Sequence, residues 1–380
     1  MESTRAMRRT VTTTIVLLLA VGVTSALTGC QTTPVTTASP SPTTAPTAAP
    51  TETEPPTEQP ASSTPTTDPK LVSEQPVTVI PLAEPLARRD AEVSGLAWHD
   101  DTLIILPQYP NFFTTGGGGF LFALPKADIL AFLDGTVNGP LEPIQIPFVA
   151  PGLSEKIDGY QGYEAIAFAG DEAFLTIEAE TNHPMGYLVT GTIAPDLSEL
   201  TLDTSNLVEI QPQSASGNKS EEALVVTGDT IITIYEVNGV ALNLSPVAHA
   251  FDASMAPVGT LSFPNIEYRV TDATALDGAD RFWMINYFYP GDTDLLPETD
   301  PLAEKYGQGP THATHAYVER LVEFQYAGAG ITLVDTSPIQ LALIEEDARN
   351  WEGVVRLDDR GFLLMTDRYP QTLLGFVAAP

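Results

Sequence analysis

One pattern of two short strands recurs five times in this chain and constrains the fold more than any other feature. Each copy contains a polar or acidic residue, a Gly or Ala, an apolar run, a short turn and a second strand that ends in another polar residue. A hairpin repeated in this way is typical of folds in which equivalent units surround a common axis. The copies begin at Ser94, Glu164, Glu222, Asp272 and Glu352.

Short strands separated by turn residues fill the rest of the chain from about residue 75 onward. Apolar and β-branched runs alternate with Gly, Asp, Pro and Asn, and no long amphipathic helix interrupts them. The pattern predicts an all-β fold, a β-propeller of five blades over residues 75–380, with a third strand in each copy, for example at 120–122 and 241–244. Six blades are the alternative, because the spacing leaves room for a degenerate copy around 94–164 or 272–352.

The segment 77–80 (VTVI) has the composition of a strand but no partner of its own. The fifth copy ends at Pro380 before a fourth strand can form. We therefore expect this N-terminal strand to supply the outer strand of the last blade, which would close the ring and protect the open edges of the sheets.

The propeller geometry turns the repeat into a candidate site. The first strand of each blade lines the channel and the second runs antiparallel beside it, so the start of one and the end of the other lie at the same mouth. Two rings of polar side chains are expected there. The inner ring is Ser94, Glu164, Glu222, Asp272 and Glu352, and the outer ring is Gln108, Glu178, Glu236, Asn286 and Asp367.

The inner ring predicts a calcium site with its five residues as ligands. Four carboxylates that converge in a narrow channel repel one another, so they need a hard cation, raised pKa values or water. Oxygen donors without His or Cys favour Ca²⁺ over Zn²⁺ or Cu²⁺. A hydrated channel and ion pairing are the alternatives, and the arginines near a copy are Arg349, Arg356 and Arg368.

Three further features are weaker candidates. His312 and His315 have the spacing of metal ligands, but no third ligand is near them in the sequence, which favours a loop or strand-edge pair. The segment 287–316 is long, acidic and rich in Pro and Gly, so we expect it to overhang the channel mouth. Tyr-Pro pairs follow the outer ring in three copies and are candidates to line a ligand site, at Tyr109, Tyr289 and Tyr369.

The N-terminus has the features of an export signal. Three arginines precede an apolar run at 14–27, which is too short for a stable spanning helix. The run ends in Leu27-Thr28-Gly29-Cys30, which resembles the bacterial lipobox. The resemblance implies a lipoprotein signal peptide over 1–29, lipidation of Cys30, and an extracytoplasmic protein held at the bacterial membrane by its lipid. A plain cleaved signal followed by a stray Cys is the alternative.

Composition restricts the partners. Residues 30–74 are dominated by Thr, Pro, Ser, Ala and Glu, which predicts a disordered linker. The chain has 49 acidic and 17 basic residues and a net charge of −32. Such a field excludes nucleic acid as a partner and favours neutral or cationic ones, unless the acidity serves only solubility. We expect a monomer that binds a small-molecule or cell-envelope ligand.

The copies also resemble a known family. The motifs SGLAW, YEAIAF, EEALVV and WEGVVRL are similar to those of the phytase-like propellers, described as "esterase-like activity of phytase". This chain departs from that pattern where Gln108 and Asn286 replace acids. The resemblance implies a propeller and hydrolysis of phosphate esters or carboxylesters. Calcium-dependent apyrases, with five blades and a central ion, are a second resemblance.

Two functions follow from these features. The first is a surface-anchored, calcium-binding propeller that acts as an extracytoplasmic ligand-binding module. The alternative is a metal-assisted phosphoester or carboxylester hydrolase, whose catalytic candidates are an acid from the outer ring and an arginine that clamps an anionic oxygen. The scarcity of basic residues and the lack of a G-x-S-x-G motif favour the binding module. The catalytic candidates are Glu178, Glu236, Asp367 and Arg368.

Overall fold

A computed structural model describes residues 70–114, 118–344 and 348–380, which fold mainly as short β-strands. The predicted signal peptide, Cys30 and most of the predicted linker lie outside the described residues. Among the described residues, no helix has the length and apolar character needed to cross a membrane.

The strands, in chain order, are β1 (Glu74–Gln75), β2 (Thr78–Ile80), β3 (Val93–His99), β4 (Thr102–Pro107), β5 (Gly119–Pro125), β6 (Ile144–Val149), β7 (Tyr160–Ala169), β8 (Glu172–Glu180), β9 (Pro184–Ile193), β10 (Leu200–Ile210), β11 (Glu221–Thr227), β12 (Thr230–Tyr235), β13 (Val247–Asp252), β14 (Pro257–Ser262), β15 (Arg269–Ala273), β16 (Arg281–Phe288), β17 (Val318–Tyr326), β18 (Ile331–Leu333), β19 (Ile339–Leu341), β20 (Trp351–Leu357), β21 (Gly361–Thr366) and β22 (Leu374–Ala378). The helices are α1 (Lys126–Leu133), α2 (Leu153–Lys156) and α3 (Pro301–Tyr306), with 3₁₀ turns at Arg89–Ala91, Pro110–Phe113 and Thr293–Leu295.

Each predicted copy folds as an antiparallel hairpin that later strands extend outward. Unit 1 is β3–β6, unit 2 is β7–β10 and unit 3 is β11–β14. Unit 4 is β15–β19 together with β1, and unit 5 is β20–β22 together with β2. A short parallel pairing of β6 with β10 joins the outer edges of units 1 and 2.

The first strands of the units surround a common axis. They contact one another in the order β3, β7, β11, β15 and β20, and β20 contacts β3 again. Apolar clusters lie between consecutive units, because both faces of each sheet carry buried Leu, Ile, Val and Phe side chains. Radial sheets packed face to face around an axis form a β-propeller.

The Gly or Ala that follows each inner-ring residue permits this close packing of first strands. A Cβ atom on Gly353 would lie 2.7 Å from Cγ of Leu96, and one on Gly95 would lie 3.3 Å from the backbone nitrogen of Ile166. Contacts this short would push neighbouring first strands apart. The Gly or Ala after each inner-ring residue is therefore explained by the narrow channel, which brings the first strands close together.

The tight turns predicted from Asp and Gly residues are confirmed. Two residues separate the paired strands in units 1, 2 and 3. The first residue of each turn has a positive φ, which Gly and Asp tolerate better than branched residues: 49° at Asp100, 59° at Gly170 and 55° at Gly228.

The N-terminal strand pairs as predicted with the last hairpin. Thr78 pairs with Phe376 and Ile80 with Leu374 in an antiparallel register, and Ile80 is buried. The chain is engaged even earlier, because the backbone N–H of Val72 donates to the carbonyl of Gln308 and β1 pairs with β19. Residues 70–74, part of the predicted linker, therefore belong to the folded part.

The third strand of unit 3 lies later in the chain than predicted. Residues 241–244 form a turn, and the strand is β13. The Asn243 side-chain amide donates to the carbonyl of Val237 and to the side-chain oxygen of Gln213, which stabilises the turn. Asn side chains bond to nearby backbone in this way in competition with the strand ladder.

Candidate functional site

The two predicted rings lie at the same end of the channel in all five units. In every unit, the outer-ring residue is bonded to or paired with the residue two positions before the inner-ring residue. The start of each first strand therefore adjoins the end of the second, as the repeat predicts. The pairs are Gln108–Glu92, Glu178–Gly162, Glu236–Ser220, Asn286–Val270 and Asp367–Asn350.

Each inner-ring residue occupies an irregularity in its strand ladder. A β-bulge places an extra residue on one strand and redirects its side chain. The register shifts bracket the inner-ring residue in every unit: between Val93 and Gly95, Tyr163 and Ile166, Glu221 and Ala223, Val270 and Ala273, and Trp351 and Gly353.

A polar cavity of about 280 Å³ opens at this mouth. Four inner-ring residues line it, and six carboxyl side chains and two arginines lie on its walls among the described residues. The polar and aromatic lining is Glu92, Ser94, Gln108, Tyr109, Gln161, Glu164, Glu178, Asn218, Glu222, Arg269, Asn350, Glu352, Asp367 and Arg368.

Asp272 is the inner-ring residue that does not line this cavity. Its carboxylate accepts hydrogen bonds from the backbone N–H groups of Val354 (2.8 Å), Ala273 (2.8 Å) and Leu96 (3.4 Å). Asp272 therefore ties three first strands together. Ser94 is also engaged, because its hydroxyl donates to the carbonyl of Tyr163 at 2.6 Å.

Arg269 supplies positive charge inside the ring. Its Nε donates to Oε2 of Glu236 at 2.6 Å, and its Nη2 lies 3.7 Å from Glu222 and 3.6 Å from Glu352. The Arg269 side chain is only 13% exposed. Ion pairing, one of the alternatives for the ring, is therefore present here, and it comes from an arginine outside the repeated motif.

The three arginines that lie near a copy in the sequence have other partners. Arg349 pairs with Glu319 at 2.8 Å, and Arg356 lies 3.8 Å from Asp277. Arg368 stands at the cavity rim and donates to Glu92 at 2.5 Å. Of these three, only Arg368 lines the cavity.

Burial and mutual repulsion raise the pKa values of most carboxyl groups in the cavity. Burial raises the pKa of Glu178 to about 8, with Glu236 adding to the rise and Lys219 and Arg269 opposing it. Burial likewise raises the pKa of Glu352 to about 7, against the effect of Arg269. The pKa values of Glu164 and Glu222 lie well above the ordinary range for the same reason.

Glu236 behaves in the opposite way. Burial acts to raise its pKa, but Arg269 and Lys219 outweigh that effect and hold the pKa below its usual value. Glu236 is not part of the cavity wall, so its ionised carboxylate positions Arg269 from behind. Asn286 also has a supporting role, because its amide bonds to the carbonyls of Glu267 and Arg269 and accepts from Arg320.

Glu178 presents an unpartnered oxygen. Its Oε1 is buried without a hydrogen-bond partner among the described residues, and Glu178 is only 2% exposed. A buried polar atom of this kind costs free energy unless a proton, water or ligand meets it.

The predicted calcium site stays a prediction. Within the described ranges, no three His, Cys, Asp or Glu side chains are grouped so that they hold a metal ion. Asp272 and Ser94 are engaged with backbone groups, and Arg269 brings positive charge between Glu222 and Glu352.

The two candidate histidines do not form a metal-binding pair. Nδ1 of His312 lies 2.9 Å from Glu74, and Nδ1 of His315 lies 2.9 Å from the carbonyl of Thr311. His312 and Thr311 instead hold the N-terminal segment in place, because both bond to the Glu74 side chain. The Thr311 hydroxyl and backbone N–H donate to its carboxylate.

A second cavity of about 290 Å³ adjoins the first and shares Arg269 and Asn350 with it. Tyr289 and Asp292 line it, so the segment 287–316 contributes to this mouth. Tyr109 lines the first cavity and Tyr289 and Tyr369 line the second, so each Tyr-Pro pair contributes a ring to one of them.

Sequence reasoning missed several cavity residues that a register signal identifies. The position three residues before the inner ring is polar in four of five copies: Gln161, Lys219, Arg269 and Arg349. Two of these four residues, Gln161 and Arg269, line the cavity. Reading the copies from three residues earlier would have revealed Gln161 and Arg269.

Comparison with known proteins shows no family for this chain. No protein-family model matches it, and no curated protein is similar to it. The resemblance to phytase-like propellers is therefore not shown.

Solved structures with similar folds include enzymes. The soluble aldose sugar dehydrogenase from Escherichia coli is 12% identical, with 80% of this chain and 99% of that chain covered and a TM-score of 0.39. A luciferin-regenerating enzyme is 9% identical over 80% and 95% of the chains, with a TM-score of 0.41. A GH43 β-1,3-galactosidase is 8% identical over 82% and 60%, with a TM-score of 0.44. Similarity at this level carries no argument for a shared activity.

Proposed function

We propose that this chain is a five-bladed β-propeller, lipid-anchored through Cys30 outside the cytoplasm, whose polar cavity binds a small polar ligand. Five blades are supported by the cyclic contact of β3, β7, β11, β15 and β20 and by an apolar cluster between each pair of consecutive units. The pairing of β2 with β22 gives unit 5 its fourth strand.

One observation carries the binding function. Glu178, whose buried Oε1 has no partner among the described residues, lines a cavity of about 280 Å³, close to the lower end of the range that holds small ligands. Its walls combine hydrogen-bond donors such as Gln108, Gln161 and Asn218 with carboxyl groups that act as donors when protonated and acceptors when ionised. Such a set recognises polar molecules by hydrogen bonding.

A ligand screen by thermal shift tests this proposal. We expect at least one class among polyols, amines and amino acids to raise the melting temperature, because a ligand that binds only the folded state stabilises it. The variant Glu178→Gln should reduce that shift, whereas the exposed Glu298→Gln should not. Shifts of equal size in both variants would place binding outside the cavity.

Hydrolysis is the second candidate, and the raised pKa of Glu178 favours it. Burial raises the pKa of Glu178 to about 8, so this residue of the cavity wall keeps its proton at neutral pH and suits a general acid. Glu236 stays ionised but lies behind the wall, where it holds Arg269 in place. Assays with phosphate esters and carboxylesters test it. Turnover that Glu178→Gln abolishes supports a hydrolase, and binding without turnover supports the binding module.

The lipid anchor has its own test. The variant Cys30→Ala should appear in the medium or remain as an uncleaved precursor. A fully processed Cys30→Ala protein retained in the membrane fraction would contradict lipid anchoring. Calcium at the inner ring is the alternative, with the five predicted ligands Ser94, Glu164, Glu222, Asp272 and Glu352.

A further inference from the structure

Carboxyl groups outnumber cationic groups in the cavity. Six carboxyl side chains and two guanidinium groups line it. Both guanidinium groups are already paired, Arg368 with Glu92 at 2.5 Å and Arg269 with Glu236 at 2.6 Å. When these acids are ionised, the cavity therefore has a deficit of positive charge that its own arginines do not meet.

The deficit is concentrated around Glu164 and Glu178. Glu164 accepts a hydrogen bond from the Gln108 amide at 3.1 Å, and Oε1 of Glu178 has no partner among the described residues. Neither carboxyl group forms a salt bridge within the described part of the chain. The ammonium group of Lys219 lowers the pKa of Glu178, but its contacts are with other groups, because it donates to the carbonyl of Asn218 and lies 3.8 Å from Glu236.

An aromatic ring stands beside these two acids. Tyr109 lines the same cavity, and burial together with the charges of Glu164, Glu92 and Glu178 raises its pKa to about 12. Phe112 stacks on the Tyr109 ring with 4.7 Å between centroids, and Tyr160 meets it edge-on at 6.4 Å. The ring is therefore held in place at the cavity wall.

Gln108 is fixed as well. A Cβ atom on Gly162 would lie 2.4 Å from Cγ of Gln108, so only glycine at this position lets the Gln108 side chain pass. The Gln108 amide then donates to Oε1 of Glu164, which fixes this carboxyl group at the cavity wall.

We propose that the ligand of this cavity is an organic amine, and that Glu164, Glu178 and Tyr109 form its ammonium subsite. The inference rests on the proposed binding function. An ammonium group favours the ionised forms of these two acids, which then accept its N–H groups, and an aromatic face attracts its charge. Ca²⁺ instead takes six to eight oxygen ligands, among which an aromatic face has no place. The net charge of −32 further raises the local concentration of cations.

Titration calorimetry with spermidine tests the subsite, with sorbitol as a neutral polyol and Ca²⁺ as a metal in parallel. All titrations use the full chain at pH 8 and about 150 mM salt, where screening suppresses diffuse attraction to the surface. We expect spermidine to bind at one site. Glu164→Gln and Glu178→Gln should each weaken it at least tenfold, and Tyr109→Leu should weaken it several-fold. The control Glu298→Gln should change it less than twofold.

The outcomes separate this inference from the proposed function. Sorbitol binding that depends on Glu178, without spermidine binding, would overturn the amine subsite and leave the ligand-binding function standing. Calcium binding at these residues in preference to spermidine would also overturn it. If no probe binds and the wider ligand screen is negative, both proposals fail. The Gln substitutions keep side-chain volume and remove repulsion, so melting curves should show both variants folded.

Discussion

Arg269→Met is the substitution with the clearest expected effect on stability. It removes the guanidinium but keeps much of the apolar stem, so the change is mainly electrostatic. Arg269 contacts Glu236 at 2.6 Å and approaches Glu222 and Glu352 at 3.7 and 3.6 Å. The variant therefore leaves buried carboxyl groups without their common cation.

The size of the effect depends on which carboxyl groups can take up a proton. Glu222 and Glu352 already have raised pKa values. In the variant they can take up a proton at little cost in free energy, and the loss of their longer contacts with Arg269 then matters little. Glu236 is ionised and fully buried, and it loses its closest partner. Removing one member of a buried ion pair costs about 3–5 kcal/mol. We expect a loss in this range in the free energy of unfolding at pH 8.

The pH dependence gives a second signature of the same pair. The folded-state pKa of Glu236 is depressed, so its contribution is present above the unfolded value of 4.5 and is lost as pH falls through the folded pKa. In Arg269→Met, Glu236 has to be protonated in the folded state, so the deficit grows from about pH 4.5 upward. Urea unfolding of both proteins at pH 5 and pH 8 measures the difference.

A double variant provides the control. Adding Glu236→Gln to Arg269→Met removes the stranded charge and should recover more than half of the loss at pH 8. A cost below about 1 kcal/mol at pH 8, an equal cost at both pH values, or no recovery in the double variant would refute the role of Arg269 as the resident cation of the ring.

Further predictions concern the acid cluster, the closing strand, the calcium site and the channel glycine. The folded-state pKa of Glu178 is raised to about 8, so the stabilising effect of its protonation is present below pH 4.5 and is lost as the pH rises to 8. Glu178→Gln should therefore gain stability over the parent as the pH rises, by at most about 1.4 kcal/mol per pH unit. Urea unfolding at pH 5, 7 and 9 measures this gain. A truncated protein that begins at Arg88 loses β2 and its buried side chains, so it should aggregate or melt at a clearly lower temperature; melting like the parent would exclude β2 from the propeller. If calcium binds, Ca²⁺ at 100 times Kd should add about 2.7 kcal/mol that EDTA and Glu222→Gln remove; a melting temperature indifferent to both additives would refute calcium binding. Gly162→Ala should destabilise the fold and weaken ligand binding, because its Cβ would meet Gln108, whereas Gly170→Ala, also at positive φ but with open space around it, should affect stability alone; equal loss of binding in both would refute the positioning of Gln108.

Local patterns were sufficient to predict much of the framework. The hairpins, their tight turns and the register of both rings follow from alternation and turn residues that act within about fifteen positions of the chain. The pairing of 77–80 with the last hairpin was predictable because an unpaired strand and an incomplete unit are both unfavourable. The strand predicted at 241–244 was wrong, because side-chain bonds of Asn243 compete with the strand ladder there.

The roles of the ring residues were not predictable in the same way. Asp272 has the same register as Glu222 and Glu352, yet its carboxylate bonds to the backbone of neighbouring first strands. Arg269 lies outside the repeated motif and still supplies the central positive charge. Each role depends on which groups the adjacent units bring within a few ångströms, and no single copy contains that information.

The sequence by itself determined that polar residues meet at one mouth of an all-β ring, because the period of the strands and the length of the turns are local properties. Only the tertiary structure decided which acids are ionised, which keep their protons and which bond to backbone. Those properties depend on burial and on charges from other units, because a pKa responds to everything within a few ångströms of the carboxyl group in space.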